Sequence, residues 1–311
     1  MKEQRFIVGG VWKSGKVTLP VNSPYTGEPV AFVHQAGDED IAGAIIAARE
    51  AFAVTSGSAS HERAAILRTV ADTIRQRKEE FASTICAESG KPITAARAEV
   101  DRAVSTFTVA SEEASRMNGE VVPLDITPAG RGRKGIVERF PLGIILCITP
   151  FNFPLNLVAH KLAPAIAAGN TFILKPAPQT PLTALLLGEV LLSSGLTPGA
   201  VSVLPCSNAA AQSMVEHPGI AMVSFTGSAR VGWALKGLAG KKKVALELGG
   251  NAAAVIMPDA DLPAAAARCA AGAFGYAGQV CIKVQRILVH RSVAARFESL
   301  LTDAAAALPV G

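Results

Sequence analysis

Aromatic residues are scarce in this chain, at 5% with two Trp and two Tyr, and its 30 basic residues nearly balance 25 acidic ones for a net charge of +5. That composition argues against a nucleic-acid surface, which needs clustered basic side chains interleaved with stacking rings. The densest basic runs, RGRK at 131–134 and KKK at 241–243, adjoin glycines and read as solvated turn ends. Cysteine is sparse too: Cys86, Cys147, Cys206, Cys269 and Cys281 are odd in number, far apart and free of any C-x-x-C pair. Neither a disulfide framework nor a zinc ribbon fits that pattern, whereas a reducing compartment does. The five histidines (His34, His61, His160, His217, His290) lack H-x-x-x-H and H-E-x-x-H spacing, so no metal site is expected. The apolar run at the amino terminus is too short for a signal peptide. The one run of spanning length, 141–160, is interrupted by Pro141, Pro150, Asn152, Pro154 and Asn156. A cytoplasmic protein with no nucleic-acid or membrane partner is the expectation.

What the chain does have is apolar residues, half of its 311, enough for a sizeable core and more than one domain. From Asp38 to Ser115 apolar positions recur at three and four spacings, and Gly90-Lys91-Pro92 breaks the run, which predicts a layer of amphipathic helices. Residues 119–139 read as two extended arms around a Gly-rich basic turn, a projecting hairpin. From Gly143 onward near-continuous apolar strands alternate with helical runs: GIILCIT, TFILKPA, VSVLP and AMVSFTGS each precede a helix. Repeated units of this kind predict an α/β fold with a doubly wound parallel sheet, in which ligands bind beyond the carboxyl ends of the strands.

Those ends carry the chemistry-bearing residues. FTGSARVG places Gly227 and Ser228 where a strand becomes a helix, either a phosphate site or a tight turn that needs glycine. Lys175 ends a buried strand, as a donor to phosphate or ribose or as a solvated lysine. Glu247 lies in an apolar strand before Gly249-Gly250, where a carboxylate is costly unless paired, so it reads as a salt-bridge partner or a poised base. Asn152 lies among aromatics and prolines in TPFNFP, either fixed to donate to an oxyanion or simply forming a turn. Cys281, after a Gly-Gln step in GQVC, is a buried small hydrophobe or a nucleophile held on a turn.

In combination, PFNFP, KPA, FTGS, ELGG and GQVC resemble the aldehyde dehydrogenase superfamily from about Phe6 to the last residue. The resemblance implies an oxidoreductase in which the Cys281 thiolate attacks the aldehyde and the oxyanion is held by the Asn152 amide and the Cys281 N–H. Glu247 then activates water to hydrolyse the thioester, in preference to acyl transfer to coenzyme A. It implies NAD or NADP as cofactor, bound against Ile148, Thr149, Pro150, Lys175, Pro178, Phe225, Gly227, Ser228, Val231, Gly232 and Leu248. Pro178 stands where many members carry a glutamate and Arg230 where many carry an acid, so acceptance of NADP is expected. The subgroup implied acts on lactaldehyde, phosphonoacetaldehyde, glyceraldehyde 3-phosphate (without phosphorylation) or related small polar aldehydes, with Arg102 as the candidate anion-binding residue or else a plain helix-surface arginine.

By the same likeness 1–118 and 140–248 form the dinucleotide-binding domain, 119–139 an oligomerisation hairpin and 249–311 an incomplete catalytic domain. Family members continue beyond the last residue here, so the resemblance implies a carboxyl-terminal truncation and a homo-oligomer when full length. The alternatives are a dinucleotide-binding fragment without turnover and a structural or interaction protein that keeps the fold with an inert Cys281.

Overall fold

A computed structural model describes residues 3–309. The chain divides into two compact units, Met1–Thr226 with Arg230–Leu246, and Gly227–Ala229 with Glu247–Gly311.

The first unit begins with β1 (Glu3–Gln4), β2 (Phe6–Val8), β3 (Val11–Lys13), β4 (Val17–Asn22) and β5 (Pro29–Gln35). The first three of these are too short to display a two-residue period, which is why the sequence pattern does not announce them. The helical layer follows as α1 (Asp38–Thr55), α2 (Ser60–Gln76), α3 (Lys78–Ser89) and α4 (Ile93–Ala114). Two of these helices begin with a carboxylate reaching back to the chain before it: Gly37 N–H donates to Asp40 Oδ2 (3.0 Å) at α1, and Ala59 N–H to Glu62 Oε2 (2.7 Å) at α2. Gly90 stops α3 in the left-handed region (φ 66°), which a side chain rarely tolerates. The predicted hairpin forms from β6 (Glu120–Pro123) and β7 (Lys134–Val137), antiparallel and exposed.

Next come β8 (Ile144–Ile148), α5 (Asn156–Ala167), β9 (Thr171–Lys175), α6 (Leu182–Leu192), β10 (Val201–Val203), α7 (Asn208–Glu216), β11 (Ile220–Gly227), α8 (Ala229–Leu238) and β12 (Lys243–Leu248). The seven-stranded sheet runs β12-β11-β8-β9-β10-β2-β3. Its centre is parallel, β11 to β8 to β9 to β10, while β2 and β3 extend it as an antiparallel edge. Every residue of β8, β9 and β10 is buried, as strands covered on both faces must be.

The second unit holds β13 (Ala253–Ile256), α9 (Leu262–Phe274), β14 (Arg286–Val289) and α10 (Ala294–Ala306). β13 and β14 pair in parallel, with α9 in the crossover between them. Asp261 caps α9, its Oδ1 accepting from Ala264 N–H (3.1 Å). The core is small: Ile256, Leu262, Ala266, Cys269 and Phe297. Val255 and Leu288 on its strands are 63% and 53% exposed.

Candidate functional site

In the first unit, strand register aligns the residues selected from sequence. Ile148 pairs with Lys175 on one side and Phe225 on the other, and Thr149 N–H donates to Lys175 O (3.2 Å). β8 and β9 therefore end level beside Phe225 of β11, which runs on to Gly227, with Ile148, Thr149, Lys175 and Phe225 buried at that edge. Lys175 is not a solvated strand-end lysine. Its Nζ donates to Asn208 Oδ1 (3.3 Å) at the first turn of α7, and burial lowers its pKa, against the opposing influence of Cys206. A buried ammonium at the carboxyl edge of a parallel sheet is a donor suited to the hydroxyl or phosphate oxygens of a dinucleotide, so these residues fit that group. Pro178, Val231 and Arg230 are exposed, Gly232 is buried and Pro150 is partly covered.

Asn152 lies in the loop between β8 and α5. Lys91 Nζ donates to the Asn152 carbonyl oxygen (2.7 Å) and lies 3.9 Å from the centroid of the Phe153 ring. The same ammonium pairs with Glu99, and the two side chains are 2% and 0% exposed. Burial lowers the Lys91 pKa, while Glu99 opposes the shift. Glu99 Oε1 accepts from Leu155 N–H (2.9 Å) and Asn156 N–H (3.1 Å), capping α5 from α4. Arg102, exposed on α4 as its helix position implied, has its guanidinium 5.6 Å from the same Phe153 centroid. It therefore stands beside the Asn152 loop.

Sequence reasoning missed Lys91 and Glu99, taking the first as part of a helix break. The signal was there: Ala96, Glu99, Val100, Ala103 and Phe107 share the buried stripe of α4, so a carboxylate occupies an apolar position.

In the second unit, Cys281 sits in a turn closed by Lys283 N–H to Val280 O (3.1 Å) and is exposed. It alone of the five thiols is exposed, since Cys147, Cys206 and Cys269 are buried and Cys86 is partly covered. Burial pushes the Cys147 thiol up to about 12 and Cys206 to about 11, and it raises Cys86 and Cys269 as well. The approach to the turn is strained: Tyr276 and Ala277 have φ of 52° and 51°, a conformation that costs about 1–2 kcal/mol per non-glycine residue. Gly250 comes close to this turn, because a Cβ built on it would lie 3.8 Å from Cys281 O.

Glu247 is exposed, so the burial penalty expected from its apolar neighbours does not operate and the carboxylate stands open to water. Leu248 is partly covered, Gly227 closes β11, and Ser228 is exposed immediately before α8. Among the described residues no cluster of three or more His, Cys, Asp or Glu side chains could hold a metal, and no helix is long and apolar enough to cross a membrane.

The aldehyde dehydrogenase family profile matches residues 12–311. The chain is 40% identical over 312 residues to 3-sulfolactaldehyde dehydrogenase of Priestia aryabhattai, covering 100% of this chain and 65% of that protein. Among solved structures, aldehyde dehydrogenase 21 from Physcomitrella patens in complex with the reaction product succinate superposes with a TM-score of 0.95 at 42% identity, covering 100% of this chain and 65% of that one. NADP-dependent glyceraldehyde-3-phosphate dehydrogenase from Bacillus halodurans, complexed with NADP, gives a TM-score of 0.97 at 33% identity over 100% of this chain and 66% of its own. The chain thus spans about 65% of the length of the curated relative described here.

Proposed function

This chain belongs to the aldehyde dehydrogenase family, and on that premise we propose that it oxidises a small anionic aldehyde to the carboxylic acid through a covalent intermediate on Cys281. The observation that carries this reading is the Cys281 thiol, exposed on a turn that follows the strained residues Tyr276 and Ala277, while burial raises the pKa of the other four. The Cys281 sulfur, as thiolate, forms a bond to the aldehyde carbon, and the carbonyl π pair moves onto oxygen. The Asn152 amide and the Cys281 backbone N–H donate to that oxyanion, and each such donor contributes roughly 3 kcal/mol to the barrier reduction. NAD or NADP, when bound, supplies the hydride acceptor that takes the thiohemiacetal to the thioester. Glu247 removes a proton from water, whose oxygen attacks the thioester carbon and releases the acid and the thiolate.

Anionic substrates are suggested by two things together. The three relatives are described with a sulfonated aldehyde, a succinate product and a phosphorylated aldehyde, and Arg102 lies beside Phe153 in the Asn152 loop. NADP is accepted as well as NAD, because Pro178 and Arg230 present no carboxylate to repel a 2′-phosphate. The exposed apolar residues of the hairpin, Val121 at 70% and Ile136 at 75%, are the surface through which copies of the chain pair in the cytoplasm.

The test is absorbance of reduced nicotinamide with the purified chain, either dinucleotide and a panel of anionic and neutral small aldehydes. Turnover lost in Cys281→Ala is expected. Turnover surviving in that variant sinks the nucleophile assignment, and dinucleotide binding with no turnover in the unmodified chain sinks the enzymatic reading. Arg102→Ala should raise KM for an anionic aldehyde by about tenfold or more and leave a neutral one unchanged. Equal effects on both would remove Arg102 from substrate binding.

A further inference from the structure

We propose that the buried Lys91–Glu99 pair is a positioning device that fixes the Asn152 loop at its middle and at its junction with α5, so that the Asn152 amide is set before substrate arrives. The proposal rests on the reading of Asn152 as an oxyanion donor and extends it to residues that touch no substrate.

The geometry is reciprocal. Lys91 comes from the turn between α3 and α4 and takes the carbonyl of Asn152 at 2.7 Å. Glu99, one and a half turns into α4, takes the amides of Leu155 and Asn156 at 2.9 and 3.1 Å. One residue thus holds the loop at its middle, at Asn152 itself, and the other holds it where it becomes α5. The ion pair between Lys91 and Glu99 ties the two anchors together, and the ammonium also lies on the Phe153 ring next to Asn152. A further contact orders the helix start, Thr106 Oγ1 donating to Asn156 Oδ1 at 3.3 Å.

Both partners are almost fully enclosed, so neither is exchanged for water while the other stays in place. A segment held by the Asn152 carbonyl on one side and by the Leu155 and Asn156 amides on the other loses the freedom to rotate the peptide units between them. Small displacements of a group that must meet a developing charge carry a large kinetic cost, on the order of 100-fold for about 1 Å. Arg102, exposed one turn along α4 from the buried Glu99, lies beside the same Phe153 ring.

The test is hydrogen–deuterium exchange on the 311-residue chain, comparing it with Lys91→Met and, should that variant fail to fold, with the near-isosteric Glu99→Gln. Amides 151–157 are expected to lose protection by about tenfold or more beyond any loss that α2 and β9 share through lower global stability. Unchanged exchange in 151–157, or a uniform loss of protection across the unit, overturns the proposal. Kinetics separate it from a merely structural role. Lys91→Met should lower kcat and leave KM for the dinucleotide unchanged, and combined with Asn152→Ala it should be no slower than Asn152→Ala alone. Additive losses contradict action through Asn152. If Asn152→Ala by itself leaves kcat unchanged, the oxyanion reading falls, while the exchange result still decides whether the pair fixes the loop.

Discussion

Glu88 and Glu99 occupy matching places on two neighbouring helices. Each is 1% exposed, lies on the apolar stripe of its helix and ends against the amino terminus of another helix: Glu88 on α3 meets α6, and Glu99 on α4 meets α5. Neither receiving helix begins with a capping side chain of its own, since Pro181 and Leu155 stand at their starts. The carboxylates therefore supply in trans the acceptors that four orphan N–H groups demand. What differs is the countercharge. Glu99 has Lys91 against it, whereas Glu88 has only neutral donors: Leu182 N–H (2.7 Å), Thr183 N–H (3.0 Å) and the Thr183 hydroxyl. Burial accordingly pushes the Glu88 carboxyl up to about 8, against the pull of the Thr183 hydroxyl and the two amides. The lesson is that the same cap serves two ends. With a cation it becomes a charged anchor coupled to the Asn152 loop; without one it becomes a carboxyl that sheds its proton only above neutral pH.

The largest effect should come from removing the cation. Lys91→Met leaves the Glu99 charge buried and unpaired and should cost about 3–5 kcal/mol in urea unfolding of the chain. A loss below about 1 kcal/mol would show that Glu99 does not depend on it.

A pH series sharpens the contrast. The Glu88 carboxyl is raised from 4.5 to about 8 on folding, so its contribution is fully present below pH 4.5 and is lost as pH rises through 8. Between those limits the unfolded chain binds fewer protons than the folded one, and stability should decline on the order of 1 kcal/mol per pH unit from this group. Glu88→Gln should flatten that decline, and a slope unchanged in the variant would assign it to another group. Thr183→Val should lose about 1 kcal/mol near neutral pH and extend the decline to higher pH, because the hydroxyl that favours the ionised form is gone. Phe153→Leu should cost least, about 0.5–1 kcal/mol plus lost ring area, through the Lys91 contact alone.

The parallel sheet was legible because β8, β9 and β10 are continuous apolar runs between turn signals, and a strand buried on both faces has no other way to appear in sequence. The carboxyl-edge residues followed from that topology. Asn152 could be named from its own loop, but the residues holding it could not, since Lys91 and Glu99 lie 61 and more than 50 positions away. Trans capping leaves no local pattern beyond a glutamate on an apolar stripe. The short strands β1–β3 were invisible for a different reason, being too brief for periodicity to register. Only the burial expected around Glu247 does not hold: an apolar context in sequence does not bury a side chain next to the end of a strand, and this one is exposed.

The central claim, that Cys281 carries the acyl group, is tested most directly by trapping it. Glu247→Gln, incubated with dinucleotide and a reactive anionic aldehyde, should stall before hydrolysis and, after acid quench and peptide mapping, show the acyl mass on the peptide containing Cys281. The peptides of Cys86, Cys147, Cys206 and Cys269 should stay unmodified. An adduct on one of those four, or none on Cys281 while reduced dinucleotide forms, would contradict the account.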